Sequence, residues 1–351
     1  MANIFVDPVI VMTPSDDASK DEVEKWLEDL TIWLQEALTA PFNWLHSVEA
    51  TDTLQDSGRF PSFGVLRNWE KKYQLNINPQ QIARRVNDFF RNEELDLKDH
   101  LKRLEYDIEP EINSIVITPD QLIARWPDAI RANLQLLLTH CCACKHIAFP
   151  LGQELHIATL PLANGAKQIS VSVVILNALP EFVRDAENRI SQVFPLVITP
   201  DDLLPLIDVV EIWAKGKQAI TYAIKQQYRN GQSSPTNTYP SFRLGPRFIE
   251  SVNERGLDTN TTLLRSIIRA AADVIADKAR DIRGYHLHAF RKNEAANSQQ
   301  FVRDGDNARA WRLMLQQHGA GWRLHYWQIP TPEGSIIEFA NVGKESEREI
   351  S

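Results

Sequence analysis

Apolar residues recur at three- and four-residue steps at Val23, Trp26, Leu27, Leu30, Trp33 and Leu34, with charged residues between them. That spacing predicts an amphipathic helix of about twenty residues over Ala18–Leu38. Before it, residues 3–13 are extended and β-branched, the pattern of a strand. Two shorter helices are expected at Pro79–Arg91 and Leu97–Glu105. The phrase SIVITPDQLIARW (114–126) reads as strand, turn and helix, with Thr118 as cap, Pro119 as first helical residue and Asp120 at the positive helix end. The same grammar returns at PLVITPDDLL (195–204) and weakly at VIVMTPSDD (9–17). The steps between copies are unequal, so shared capping chemistry explains the likeness better than a repeat.

The clearest alternation lies in HIATLPLANGAKQISVSVVIL, where Ile169, Val171 and Val173 alternate with Gln168, Ser170 and Ser172. Asn164-Gly165 suits a two-residue hairpin turn and predicts a hairpin of the two flanking runs. A long helix is expected from Asp201 to Arg229, with Pro205 in its first turns. GQSSPTNTYPSFRLGP (231–246) reads as a linker or exposed loop. A helix over Thr259–Ile282, a short helix at Ala308–Gln317 and a closing hairpin, GWRLHYWQIP and SIIEFANVG, complete the chain. The fold class is therefore α/β or α+β. It divides into a helical, acidic region at 1–112, a central α/β region with a hairpin at 113–230, the linker, and a basic α+β helix-plus-hairpin module at 247–351.

Composition changes this picture through its distribution. The 351 residues are 43% apolar and 24% charged, with net charge -8, ordinary for a globular protein. Residues 1–60 hold twelve Asp/Glu against three Lys/Arg, and residues 261–330 hold eleven Lys/Arg against six Asp/Glu. The first end repels phosphate and the second attracts it. The N-terminus has no signal-peptide pattern, and the longest apolar run, around Ile169–Leu179, falls short of the roughly 20 residues of a membrane span. The expectation is a cytoplasmic protein in a reducing compartment, with no membrane association.

All three cysteines lie in HCCACKH (140–146), with two histidines. A helix turns about 100° per residue, which places His140 and Cys144 on one face and Cys142 and His146 on a nearly opposite one. Tetrahedral zinc needs every ligand within roughly 2.0–2.3 Å, so a single helix cannot present all five. A metalloprotein remains one alternative, if the segment unwinds and His156 turns back toward it. Packing at the end of a core helix is the plainer reading, and a reactive thiol is a third. Neither a metal nor a cofactor is assigned. GKQ at 216–218 lacks the rest of a phosphate loop, no hydrolase or zinc-protease signature occurs, and Asp201-Asp202 reads as helix capping.

The C-terminal region carries the densest candidate chemistry. Arg280, Arg283, His286, His288, Arg291, Lys292, Arg303, Arg309, Arg312, Arg323 and His325 are interleaved with Tyr285, Phe290, Trp311, Trp322, Tyr326 and Trp327. Cationic and aromatic side chains together hold phosphate and stack single-stranded bases. In the strand 322–327, alternation puts Arg323, His325 and Trp327 on one face, expected to be a polar face with an aromatic anchor. Arg303, Arg309, Arg312, Arg323, His325 and Trp327 are the candidate nucleic-acid contacts, within 280–327. The alternative is that the aromatics are core and the charges a solvated surface.

WRLHYWQIPTPEGSIIEFANVG, preceded by NARAWRLML read as a basic helix, resembles the closing hairpin of RelE-type bacterial toxins. The resemblance covers at most about 80 residues. It implies cleavage of mRNA or a block of translation, with Arg309, Arg312 and Arg323 in the basic positions. The chain departs from the family in ending KESEREIS, acidic and without an aromatic. It is also similar to uncharacterised bacterial proteins that close on an LHYW hairpin. That likeness, not residue chemistry, carries the expectation of an anti-phage defence setting. The preferred function is a non-catalytic binding subunit of a bacterial multi-protein system. Its acidic end would meet protein partners and its basic module RNA, DNA or another subunit. The toxin alternative is a RelE-like ribonuclease or translation blocker, using His325 or His318 for acid–base chemistry and the arginines as phosphate clamps.

Overall fold

The structure is a computed structural model. It describes residues 2–103, 107–147, 155–179, 188–232, 239–280, 286–292, 298–315, 321–347 and 349–350. The chain forms two compact units, Met1–Leu203 and Leu204–Ser351; sequence had set boundaries near 112, 230 and 246.

The first unit opens on β1 (Asn3–Val6), shorter than the expected strand. Asp7 ends it by capping a 3-10 turn at Pro8–Ile10. Helix α1 (Lys20–Thr39) follows, closed at its start by a reciprocal capping box between Ser19 and Glu22. Its predicted stripe is buried, and Trp26 meets Trp69 edge to face. Then come β2 (Asn43–Leu45), α2 (Val48–Asp56), α3 (Phe63–Tyr73), α4 (Pro79–Phe90) and α5 (Leu97–Lys102). Strands β3 (Asp107–Pro110) and β4 (Val116–Thr118) precede the short α6 (Gln121–Ala124) and α7 (Asp128–His146). Thr118 does not cap α6, whose N-cap position is Asp120. The unit closes with β5 (Leu155–Ala158), β6 (Gln168–Leu179) and β7 (Arg189–Val197).

These strands make one mixed sheet in the order β2-β1-β5-β7-β6-β3, with β4 also on β6. The first four are mutually parallel and the rest antiparallel. This corrects the hairpin expected at Asn164-Gly165. Gly165 does turn, with φ +69°, but β5 pairs parallel with β1 and β7 while β6 runs back against β7. The turn chemistry is local and does not choose the strand's partner. Ile169, Val171, Val173 and Ile175 are buried, as the alternation predicted. On the opposite side of the same strands, Val116, Leu176 and Val193 are exposed.

The second unit starts within a 3-10 segment, Pro200–Leu206, that contains Pro205. Helices α8 (Val209–Lys215) and α9 (Lys217–Asn230) follow. The single long helix is thus corrected to three pieces. Pro205 has no N–H to give, and Gly216 takes φ +84°, outside the helical region. Then come β8 (Phe242–Leu244), α10 (Phe248–Asn253), α11 (Thr261–Ile275), β9 (His288–Ala289), β10 (Arg309–Met314), β11 (Trp322–Thr331) and β12 (Gly334–Lys344). The sheet order is β8-β12-β11-β10-β9. The closing hairpin is as expected, but the helix expected at Ala308–Gln317 is the strand β10, paired to β11 over six residues. Its last expected residues, and residues 233–238 of the expected linker, lie outside the described residues. The mixed α/β or α+β class is the observed one.

In the first unit, Asp7 ties the end of β1 to its surroundings. Its carboxylate is fully buried and accepts from Thr159 Oγ1 (2.6 Å), Trp126 Nε1 (3.0 Å) and the Val9 N–H (3.1 Å). Burial raises its pKa against the pull of those three donors. Asp7→Ala leaves all three donors buried without an acceptor, so a loss of about 3 kcal/mol or more is expected in urea unfolding. A loss below about 1 kcal/mol would mean the carboxylate is not the tie described.

Candidate cationic and polar site on the C-terminal sheet

Cross-strand neighbours share a face. One face of the second sheet carries a polar row crossing four strands: His288 on β9, Arg312 on β10, His325 on β11 and Asn341 on β12. Arg323 and Trp327 lie on the same face of β11. Apolar packing covers the Trp327 end, where Phe290, Ala308, Ala310, Trp327, Ile329 and Ala340 form a cluster against which Phe301, Ile336 and Ile350 pack.

This corrects the open polar face. Arg323, His325 and Trp327 are all buried. Alternation assigned the three to one side correctly, but says nothing of what lies over that side. Arg323 pairs with Glu345 at 3.0 Å. Trp327 lies under the Arg303 guanidinium, whose carbon sits 5.0 Å from the ring centre. Arg303 itself pairs with Asp306 (2.6 Å) and with the buried Glu338, which also takes Arg243. Arg303 is therefore held in a charge network instead of standing free for phosphate. Arg309 is exposed and Arg312 half-buried. Of the six candidates, Arg309 is the one fully exposed, while Arg312 and the paired Arg303 are half-buried. Arg283, Tyr285 and His318 lie outside the described residues.

His325 is 1% exposed, packs edge to face on Phe290, and its Nδ1 has no hydrogen-bond partner. Burial first, with Arg312 and Arg255 adding to it and the Asn341 side chain and Glu347 opposing it, lowers its pKa to about 4. An imidazole enclosed and neutral is not placed to trade protons with a ribose hydroxyl in solution. Asn341 donates to the Glu349 carbonyl at 3.3 Å, but its Oδ1 is buried without a partner.

The open part of the row is at its edge. His286 and His288 are exposed, with rings nearly parallel and centroids 6.4 Å apart. Partial burial, then the neighbouring Arg312, His286 and Arg323, hold the His288 pKa below its ordinary value. On the other side of β10, the Arg280 guanidinium stacks over Trp311. Sequence reasoning named these residues but passed over Glu338, Asn341, Arg243, Arg255, Glu345 and Glu347. The one local signal was Glu338, a carboxylate set in the apolar run SIIEFANVG.

The HCCACKH segment stays helical to His146 as the end of α7. All three thiols are buried and unoxidised. Cys142 gives its S–H to the Val171 carbonyl, and burial pushes its pKa up to about 12 and Cys141 well above its ordinary value. The reactive-thiol reading therefore has no support in this geometry. Among the described residues, no three His, Cys, Asp or Glu side chains gather to hold a metal. Comparison with protein-family models, curated proteins and solved structures finds no match.

Two expectations follow. Ellman's reagent should label fewer than about one thiol in the native protein and all of them in denaturant, because thiolate formation is suppressed by burial; rapid native labelling would contradict the packing. For His325, the unfolded imidazole takes a proton near pH 6.5 and the folded one only near pH 4. Stability is then full above about pH 6.5 and falls as pH drops toward 4, by up to ~3 kcal/mol. His325→Gln should flatten that part of the Tm-against-pH curve. Parallel curves for the two proteins would rule the buried neutral imidazole out.

Proposed function

We propose that this chain is a non-catalytic binding subunit whose C-terminal sheet edge contacts single-stranded nucleic acid. The observation that carries this is the crowding of His286, His288 and Arg312 at the β9–β10 edge, beside exposed Arg309. Arg309 and Arg312 bring positive charge to that edge, and a phosphate backbone neutralises it. Parallel imidazoles and the Arg280–Trp311 stack add flat surfaces of the kind bases stack on. The surrounding unit is basic although the chain as a whole is acidic.

The first unit supports the protein-partner half of the reading. Its acidic first sixty residues repel nucleic acid, and Val116, Leu176 and Val193 face solvent on one side of its sheet. Among the described residues no helix is long and apolar enough to cross a membrane. Three free thiols support a reducing, cytoplasmic setting. The anti-phage defence setting is proposed on the LHYW-hairpin likeness alone.

The test is fluorescence anisotropy with a labelled single-stranded RNA and DNA of about 20 nucleotides. Binding should weaken by about tenfold or more between roughly 50 and 200 mM salt. His288→Ala/Arg312→Ala should lower affinity by about tenfold and reduce the salt slope. No binding of either strand at low salt would end this reading.

A further inference from the structure

The short segment after β12 is acidic, and it lies on the polar face just described. Glu345 pairs with Arg323, and Glu347 pairs with Arg255 at 2.6 Å. The Glu349 carbonyl accepts from Asn341, and Ile350 packs on the apolar cluster beside Trp327. Beneath these contacts His325 Nδ1 and Asn341 Oδ1, on paired residues of adjacent strands, are buried and make no hydrogen bond of ordinary geometry, although the two side chains interact with each other. A buried polar atom left unpaired is costly and calls for an account. The place is also kept open by Gly343. A Cβ there would stand 2.8 Å from Glu347 Oε2 and 3.1 Å from His325 Cε1.

We propose that Arg255, Arg323, His325 and Asn341 form a phosphodiester-binding site, which Glu345 and Glu347 fill as an internal acidic surrogate in the free chain. Two guanidiniums supply charge and fork geometry. His325 Nδ1, in the tautomer that carries its proton, and the Asn341 amide N–H, held by the Glu349 carbonyl in the free chain, supply the further donors. The surrogate is built to be displaced, because Glu345 is 64% exposed and an ion pair so open to water is weak. The polar row joins this site to the His288–Arg312 edge, so a strand landing on the edge runs directly toward it. The inference rests on the nucleic-acid reading above.

The test compares full-length proteins in the same anisotropy assay. Glu345→Gln/Glu347→Gln keeps hydrogen-bond acceptors while removing the surrogate's charge. It should bind single-stranded RNA about five- to tenfold more tightly than wild type. Glu254→Gln/Glu333→Gln removes two charges elsewhere in the same unit and should change affinity by less than about twofold. Gly343→Ala, which displaces Glu347 without altering charge, should act in the same direction as the first variant. Amide hydrogen exchange in the segment should rise when RNA is added to wild type. If wild type binds but neither surrogate variant gains over the charge-matched control, or exchange stays unchanged, the site under the segment is overturned while the edge reading survives. If no protein binds RNA or DNA at all, both fall together.

Discussion

A charge removed from water must meet an opposite charge or be neutralised, and the second sheet is arranged around that demand. Its polar face is covered, not left to solvent. Glu338 sits among apolar neighbours and is matched by Arg243 and Arg303. Arg323 and Arg255 are matched by the glutamates after β12. His325 takes the other route and stays neutral. Where the cover ends, at the edge of β9 and β10, the same residue types reach solvent. The boundary between covered and solvent-reaching side chains is thus a boundary of coverage, since the residue types on both sides of it are the same.

Asp7 shows the same rule in the first unit. Open sheets with parallel strands place their ligand crevices beyond the strand C-termini. Here the ends of β1 and β5 are joined by one carboxylate serving Thr159, Trp126 and Val9. Both oxygens of Asp7 are occupied within the protein, and Thr159 beside it is buried. A position that looks catalytic by topology is, by its hydrogen bonds, a tie between strands and a tryptophan.

What could be read from sequence was whatever has a local cause. The stripe from Val23 to Leu34, the alternation from Ile169 to Val173, and the hairpin from Trp322 to Gly343 each repeat at the period of the element they form. Three things had no local cause. The parallel pairing of β5 depends on β1, about 150 positions earlier, and its flanking Asn-Gly turn pointed elsewhere. The segment NARAWRLML is rich in good helix formers, yet strands on both sides impose extension on it. The burial of Arg323, His325 and Trp327 comes from Phe290, Arg303, Ala308, Glu345 and Ile350, which the strand's own pattern does not mention. The site was legible as a list of cations and aromatics, but which of them reach solvent was not.

The pairing of β8 with β12 has a kinetic consequence. Arg243 and Glu338, facing each other across that seam, are 95 positions apart, and the two strands run parallel. No hairpin can bring them together. The antiparallel β10–β11–β12 ladder closes through nearer contacts, so it has the lower entropic cost of formation. The β8 strand, with α9 beside it, has no strand partner until that ladder exists. On a ribosome, residues 242–244 would wait with their backbone unpaired until β12 had emerged. The exposed Arg243 in so short a strand limits mispairing with other chains during that wait.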